Sequence, residues 1–235
     1  MIENVLISGS MAINISLAGD AAQKIARFDA LLREGNARMN LVRGMEGEDE
    51  AVYRHYLDAL SPLSVGAFPR GMRSLIDVGA GAGIPGIVLA CAMPEVHIVL
   101  LDAQAKRVSF MNEVIRELSL HAEAIHGRAE DLGHGALYRE AFDCATARAV
   151  ARLNALAEWT LPFVKTGGRL IAYKGPQCAE EADEAKNALR ILGAGKCEIV
   201  PVNIPNRDWE HVLFVAEKAR PTPAAYPRKP GKKPL

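Results

Sequence analysis

The sequence predicts an α/β protein: a mostly parallel, Rossmann-like sheet with helices on both faces. Three observations predict it. From residue 73 onward, short apolar runs alternate with amphipathic helical patterns, and parallel neighbours require a crossover of that kind. A glycine-rich loop, Asp77-Val-Gly-Ala-Gly-Ala-Gly-Ile-Pro-Gly86, directly follows the first apolar run, and an acid, Asp102, ends the second. Two late apolar runs, 197–202 and 211–215, succeed each other with no helical pattern between them, so they pair as an antiparallel excursion at one edge.

The elements follow in order. Residues 20–34 carry Ile25, Phe28, Leu31 and Leu32 at helical spacing, with Asp20 as N-cap. A second helical pattern over 48–65 puts Val52, Tyr56, Leu57 and Leu60 on one side, and Pro69-Arg70-Gly71 breaks it. Residues 1–72 thus form a small helical N-terminal subdomain. Strands are expected at 74–78, 96–101, 122–126, 142–146 and 169–174, and helices at 85–93, 106–118, 153–163 and 180–192. Pro85 falls in a first turn, where its missing amide costs nothing. Thr166-Gly-Gly168 reads as a turn ahead of the fifth strand. Residues 73–218 make one domain, and 219–235 form a basic, proline-rich tail expected to be extended rather than folded.

Composition excludes more than it selects. Lysine plus arginine equal aspartate plus glutamate at 28 each, so only local clusters can attract an anion. One such cluster is Lys218, Arg220, Arg228, Lys229, Lys232 and Lys233 against the single acid Glu217, a composition that suits phosphates or simple solvation. The four cysteines stand far apart with no CxxC pair, and His121, His126 and His134 show no ligand spacing. No metal is expected, and a reducing, cytoplasmic setting fits. Residues 1–18 lack a basic leader region, and no apolar run is long enough to span a membrane.

Two glycine fingerprints overlap in the loop. Gly81-x-Gly83-x-x-Gly86 matches the dinucleotide pattern, and Asp77-x-Gly79-x-Gly81-x-Gly83 matches that of S-adenosylmethionine enzymes. The first glycine must follow the strand directly, because it makes the tight turn. With the strand ending at Val78, that glycine is Gly79. Asp102, at the end of the second strand, accepts from the ribose hydroxyls of a nucleoside cofactor. Dehydrogenases place an acid there too, so a nicotinamide-dependent oxidoreductase stays open as an alternative. A dehydrogenase normally continues into a separate catalytic domain, however, whereas this chain ends on two strands. The full expectation is a Rossmann-like, seven-stranded class I methyltransferase sheet with S-adenosyl-L-methionine as cofactor.

Further motifs narrow the class. They are Met39-Asn40-Leu41, Arg54-His55-Tyr-Leu-Asp58, the loop ending Ile84-Pro85-Gly86, Leu101-Asp102 before Lys106-Arg107, and Gly127-Arg128-Ala129-Glu130. Ala147-Arg148-Ala149, Lys174-Gly175, Pro221-Thr-Pro and Tyr226-Pro-Arg-Lys-Pro-Gly231 continue the series. In these the chain resembles the RsmG (GidB) family from about residue 20 to its end, departing at Val42 and Ala59, where the family often has threonine and serine. The resemblance implies methylation of N7 of a guanine, position 527 in the 530 loop of bacterial 16S rRNA. It implies cofactor contacts at Gly79, Ile84, Ala129, Glu130 and Arg148, beside Gly81 and Asp102 from the loop argument. It implies a partner in 16S rRNA or the small ribosomal subunit, and a monomer.

The chemistry is compatible with that target. The stretch after the fourth strand, Thr146-Ala-Arg-Ala149, lacks the Asn/Asp-Pro-Pro-aromatic segment of amine methylation, and Cys144 lies inside a predicted strand rather than in a nucleophile loop. Guanine N7 carries an in-plane lone pair and no proton, so no catalytic base is assigned. On the RNA side the candidates are Asn40, His55, Asp58 and Lys174. His55 and Asp58 share a helix face, Lys174 ends the fifth strand, and Asn40 is equally suited to capping. A small-molecule methyltransferase and a non-catalytic RNA-binding module remain rival readings.

Overall fold

The computed structural model describes residues 2–45, 47–205, 207–229, 231–232 and 235. Its first three helices are α1 (Ile2–Ala12), α2 (Ala21–Met39) and α3 (Glu48–Ala51). A π-helical turn (Val52–Leu57) leads from α3 into α4 (Asp58–Ser64). There follow β1 (Ser74–Val78), α5 (Gly86–Ala92), β2 (His97–Asp102), α6 (Ala105–Glu117), β3 (Ala122–His126) and α7 (Ala129–Leu132). Then come β4 (Phe142–Arg148), α8 (Leu153–Thr160) with a 3-10 turn after it, β5 (Val164–Lys174), α9 (Cys178–Ile191), β6 (Ala194–Val202) and β7 (His211–Lys218).

The strands form one seven-stranded sheet in the order β3-β2-β1-β4-β5-β7-β6. The first five are parallel, and β7 runs antiparallel between β5 and β6. Strands covered on both faces read as unbroken apolar runs, and alternate residues of β1 show it: Leu75 enters one core and Ile76 the other. On the first face Leu6, Ile25 and Phe28 of the N-terminal helices pack with Leu75, Ile98 and Ile171 of the sheet. Those helices therefore share the sheet's core. The opposite face sets Leu156 of α8 and Ala185 of α9 against Ile76, Val99 and Leu170.

The antiparallel ending matches expectation, and β1 and β3 have their expected bounds. Other expectations need correction. Residues 2–12, unassigned from sequence, are helical, with Leu6 fully buried on one side. Asp20 precedes α2 but makes no side-chain cap; it pairs with Lys24 at 3.2 Å. Pro85 is the N-cap of α5 rather than a residue of its first turn. β4 runs on to Arg148, so that residue ends the strand instead of following it. Thr166-Gly-Gly168 is a bulge inside β5, because Phe142 pairs with Val164 but Cys144 pairs with Arg169. Gly167 has φ +89 there, and a Cβ on Gly168 would lie 2.5 Å from the Asp143 carbonyl, which explains the glycines.

The tail is irregular, as expected, but it is docked. Arg139 donates to the carbonyls of Thr222 and Tyr226 at 2.7 and 2.8 Å, and Arg228 pairs with buried Glu158 at 2.7 Å. Lys218 belongs to β7 and is 1% exposed; its Nζ donates to Glu140 and to the carbonyls of Leu161 and Val164. Burial pushes its ammonium group down from the usual lysine range. Lys218 is thus a strut between β7 and the 3-10 turn, no part of a basic tail, while Lys233 lies outside the described residues.

Candidate active site

The loop after β1 is shaped by main-chain bonds. Gly79 has φ +73, and the amides of Gly79 and Ala80 donate to the Leu101 carbonyl at 2.8 and 3.0 Å, drawing the loop across the end of β2. A Cβ on Gly79 would stand 2.8 Å from Val150, so conformation and packing both demand glycine. The Gly81 amide donates to Asp102 Oδ2 at 2.8 Å, and the Gln104 amide to Oδ1 at 2.8 Å. Behind the loop, buried Asp77 accepts from the Thr146 hydroxyl at 3.0 Å and from the Gly86 amide at 2.9 Å. Burial pushes its carboxyl up to about 7 despite those bonds.

A cavity of about 190 Å³ opens beside this loop, lined by Gly79, Asp102, Ala129, Glu130, Val150 and Trp159 among others. Its lining carries two carboxylates, Asp102 and Glu130, and one guanidinium, Arg128, with the apolar Val78, Leu101 and Trp159 as walls. A dinucleotide would bring a pyrophosphate against those carboxylates. It would also find the Gly81 amide already taken by Asp102. A nucleoside bearing a cationic sulfonium suits this lining better, since apolar walls would face its base and the carboxylates its ribose and charge.

A larger cavity of about 810 Å³ adjoins it at Val150, which lines both. Here Arg43, Arg54, Arg148, Arg152 and Lys174 face the carboxylates of Asp58 and Glu181. Arg148, at the end of β4, donates from Nη1 to Asp58 Oδ2 at 3.1 Å and from Nη2 to His55 Nδ1 at 3.4 Å. His55 Nε2 lies 2.9 Å from the Arg43 carbonyl. Those partners select the tautomer with its proton on Nε2. Burial, then the Arg148 charge, push its pKa down to about 4, so His55 is neutral near pH 7. Asp58 Oδ1 takes a second bond from His211 Nδ1 at 3.1 Å. The π-helical turn carries His55 into the cavity, and such turns recur at functional sites.

An aromatic layer closes one side. Trp209 stacks on His211 at 5.4 Å, and the Arg54 guanidinium lies 5.1 Å over the indole. Lys174 Nζ donates to the Ala151 carbonyl at 2.8 Å and to Glu181 Oε2 at 2.6 Å. Cys144 is fully buried in β4, where burial raises its thiol pKa, so it is a structural thiol.

The structure sorts the expected residues into two groups. Gly79, Asp102, Ala129 and Glu130 line the smaller cavity, and Gly81 joins them through Asp102. Arg148, expected on the cofactor side, lines the larger cavity with His55, Asp58 and Lys174. Ile84 and Asn40, like Gly81, line neither cavity. Ile84 is 5% exposed in the core below the loop, and Asn40 is an exposed left-handed C-cap of α2 with φ 48. For Asn40 the capping alternative describes its position. Sequence reasoning missed Val150, Trp159, Glu181, Trp209 and His211. The segment Trp209-Glu-His211, just ahead of the last strand, was the available signal.

Known proteins match both the fold and the chain. An Agrobacterium tumefaciens protein described as a predicted O-methyltransferase superposes with TM-score 0.55 at 20% identity, covering 69% of this chain and 81% of its own. Aeropyrum pernix fibrillarin, solved with natively bound S-adenosyl-L-methionine, gives TM-score 0.54 at 17% identity, covering 70% and 75%. At that identity they establish the class I methyltransferase fold. Two relatives named ribosomal RNA small subunit methyltransferase G match much more fully. That of Alkaliphilus oremlandii is 40% identical over 98% of this chain and 96% of its own. That of Desulfitobacterium hafniense is 44% identical over 95% and 93%. A family model, GidB, described as rRNA small subunit methyltransferase G, matches residues 21–209, and the chain belongs to that family.

Proposed function

We propose that the protein transfers a methyl group from S-adenosyl-L-methionine to N7 of a guanine, position 527 in the 530 loop of bacterial 16S rRNA. The observation that carries this is the juxtaposition of two unlike cavities at Val150. One has acidic and apolar walls suited to a cationic nucleoside. The other has five cations and an aromatic layer suited to a nucleotide. Family membership supports the RNA as substrate, since the relatives are named for small-subunit ribosomal RNA.

Asp102 and Glu130 hold the nucleoside, and Gly79 lets the main chain approach it. When bound, the cofactor supplies an electrophilic methyl on sulfur, which leaves as a neutral thioether. No residue has to remove a proton, because guanine N7 has none. The work left to the chain is alignment, which alone lowers a barrier by roughly 7–11 kcal/mol. Val150 stands at the seam, where base and methyl would meet, and Arg148 lines the larger cavity two residues before it. Arg148 is fixed there by Asp58 and His55. The positive charge passes to the guanine, so the transfer calls for no metal.

The test is incubation of the protein with labelled cofactor and unmodified 16S rRNA or small subunits, followed by nucleoside digestion. Label in 7-methylguanosine is expected. Label in small metabolites instead, or NAD binding in place of S-adenosylmethionine by calorimetry, would overturn the proposal. The reading includes a cytoplasmic monomer, for which light scattering supplies the mass. Among the described residues no helix is long and apolar enough to cross a membrane.

A further inference from the structure

In a cavity built to meet a polyanion, Glu181 stands out. Its carboxylate is held from one side only: Oε2 accepts from Lys174 Nζ at 2.6 Å and from the Leu153 amide at 2.8 Å. No described residue donates to Oε1, and the one sealed, unpartnered side-chain polar atom among them is Ser61 Oγ, so Oε1 is accessible to solvent on a residue that lines the cavity. Lys174 Nζ spends two hydrogens, on Glu181 and on the Ala151 carbonyl, and keeps a third. The side chains are only 9% and 13% exposed, so the pair is a fixed fixture of the wall. A lysine already neutralised by a carboxylate is a poor phosphate anchor, and the carboxylate repels phosphate outright. The pair instead offers one donor beside one acceptor.

We propose that Lys174 and Glu181 together read the Watson–Crick edge of the target base, Lys174 donating to O6 and Glu181 Oε1 accepting from N1–H. This rests on the guanine reading above. Guanine presents an acceptor and a donor in that order. Adenine presents the reverse, an amino donor at N6 and a bare N1, and would set donor against donor and acceptor against acceptor. Uracil repeats guanine's order but has no N7 to methylate. N1 lies across the six-membered ring from the imidazole, so a base gripped this way keeps N7 free for the seam at Val150. Glu181 is thereby a specificity residue, not a member of the methyl-transfer machinery.

The experiment compares target RNA carrying guanine, inosine or 2-aminopurine at the methylated position. Inosine keeps O6 and N1–H; 2-aminopurine lacks both but retains N7. Wild-type protein is expected to methylate guanine and inosine within a few-fold of each other, and 2-aminopurine on the order of 10- to 100-fold more slowly. In Glu181→Gln the amide oxygen can keep Lys174 and the Leu153 amide while NH2 replaces Oε1. The guanine rate is expected to fall toward that of 2-aminopurine, with unchanged cofactor affinity by calorimetry. A structural brace would instead lower both substrates alike and preserve the ratio, and that result would sink the proposal. Equal wild-type rates on all three RNAs would sink it without need of a folded variant. Wild-type protein that labels no guanine N7 removes this inference together with the function it rests on. Labelled guanine with an unmoved ratio removes this inference alone.

Discussion

The two cavities that meet at Val150 are made of different material. The smaller is set on a main-chain frame, with glycines at φ +73 and +59 and amides bound to the Leu101 carbonyl and to Asp102, and it carries the charged side chains of Asp102, Glu130 and Arg128. The larger is made of side chains from five separate stretches, around residues 43, 55, 148, 174 and 211. A main-chain site keeps its shape while its walls vary. A side-chain site depends on each partner, because a buried charge left without its counterpart is costly.

Removing a central charge tests that contrast most severely. Arg148→Ala leaves Asp58, 6% exposed, with His211 as its one side-chain partner among the described residues. A loss of about 3 kcal/mol in denaturant unfolding is expected, with partial recovery in the double variant Arg148→Met, Asp58→Leu. An unchanged midpoint would show that the larger cavity is not held by this pair. On the other side, Asp102→Asn removes the charged acceptor of the Gly81 and Gln104 amides. It is expected to weaken cofactor binding by ~2 kcal/mol, about 30-fold in Kd, measured by calorimetry. RNA affinity should stay put; if both fall together, the two sites are not separable.

Acid offers a subtler probe. His55 is depressed from 6.5 to about 4, so the unfolded chain takes up its proton first and stability is lost as pH falls from 6.5 toward 4. Asp77, raised from 3.8 to about 7, acts oppositely: its contribution is full below 3.8 and is lost as pH rises toward 7. The two offset each other in the wild type. The difference between wild type and His55→Gln isolates the histidine and is expected to change by about 2 kcal/mol between pH 7 and pH 5. A flat difference would mean that His55 titrates normally. The smallest expected effect is that of Trp209→Ala, about 1 kcal/mol in RNA binding from the lost aromatic and cation–π surface. A filter-binding titration reads it, with cofactor affinity as the unchanged control.

The contrast also explains what the sequence disclosed. The loop register at Gly79, the carboxylate at Asp102 and the reversed final strand were legible because each depends on neighbours along the chain or on the strand–helix rhythm. Asp58 meets Arg148 across 90 positions and His211 across 153, and no local period announces such meetings. The family resemblance reached His55, Asp58 and Arg148 without showing that they touch. The resemblance implies a cofactor contact for Arg148, whereas its side chain turns toward Asp58 of α4. The bulge at Thr166–Gly168 was misread because glycine pairs mark turns and bulges alike.

The antiparallel course of β7 has a consequence in time. Because that strand reverses, its first residues return to the edge where the glycine loop lies, and His211 reaches Asp58 only there. A chain emerging from the ribosome at about 5–20 residues per second has presented the whole lining of the smaller cavity by Trp159. It delivers the wall formed by Trp209 and His211 roughly fifty residues later. Under the proposed function, the nascent protein thus acquires the parts for holding its methyl donor before it acquires those for engaging a target. The final hairpin is the step in synthesis that commissions the enzyme.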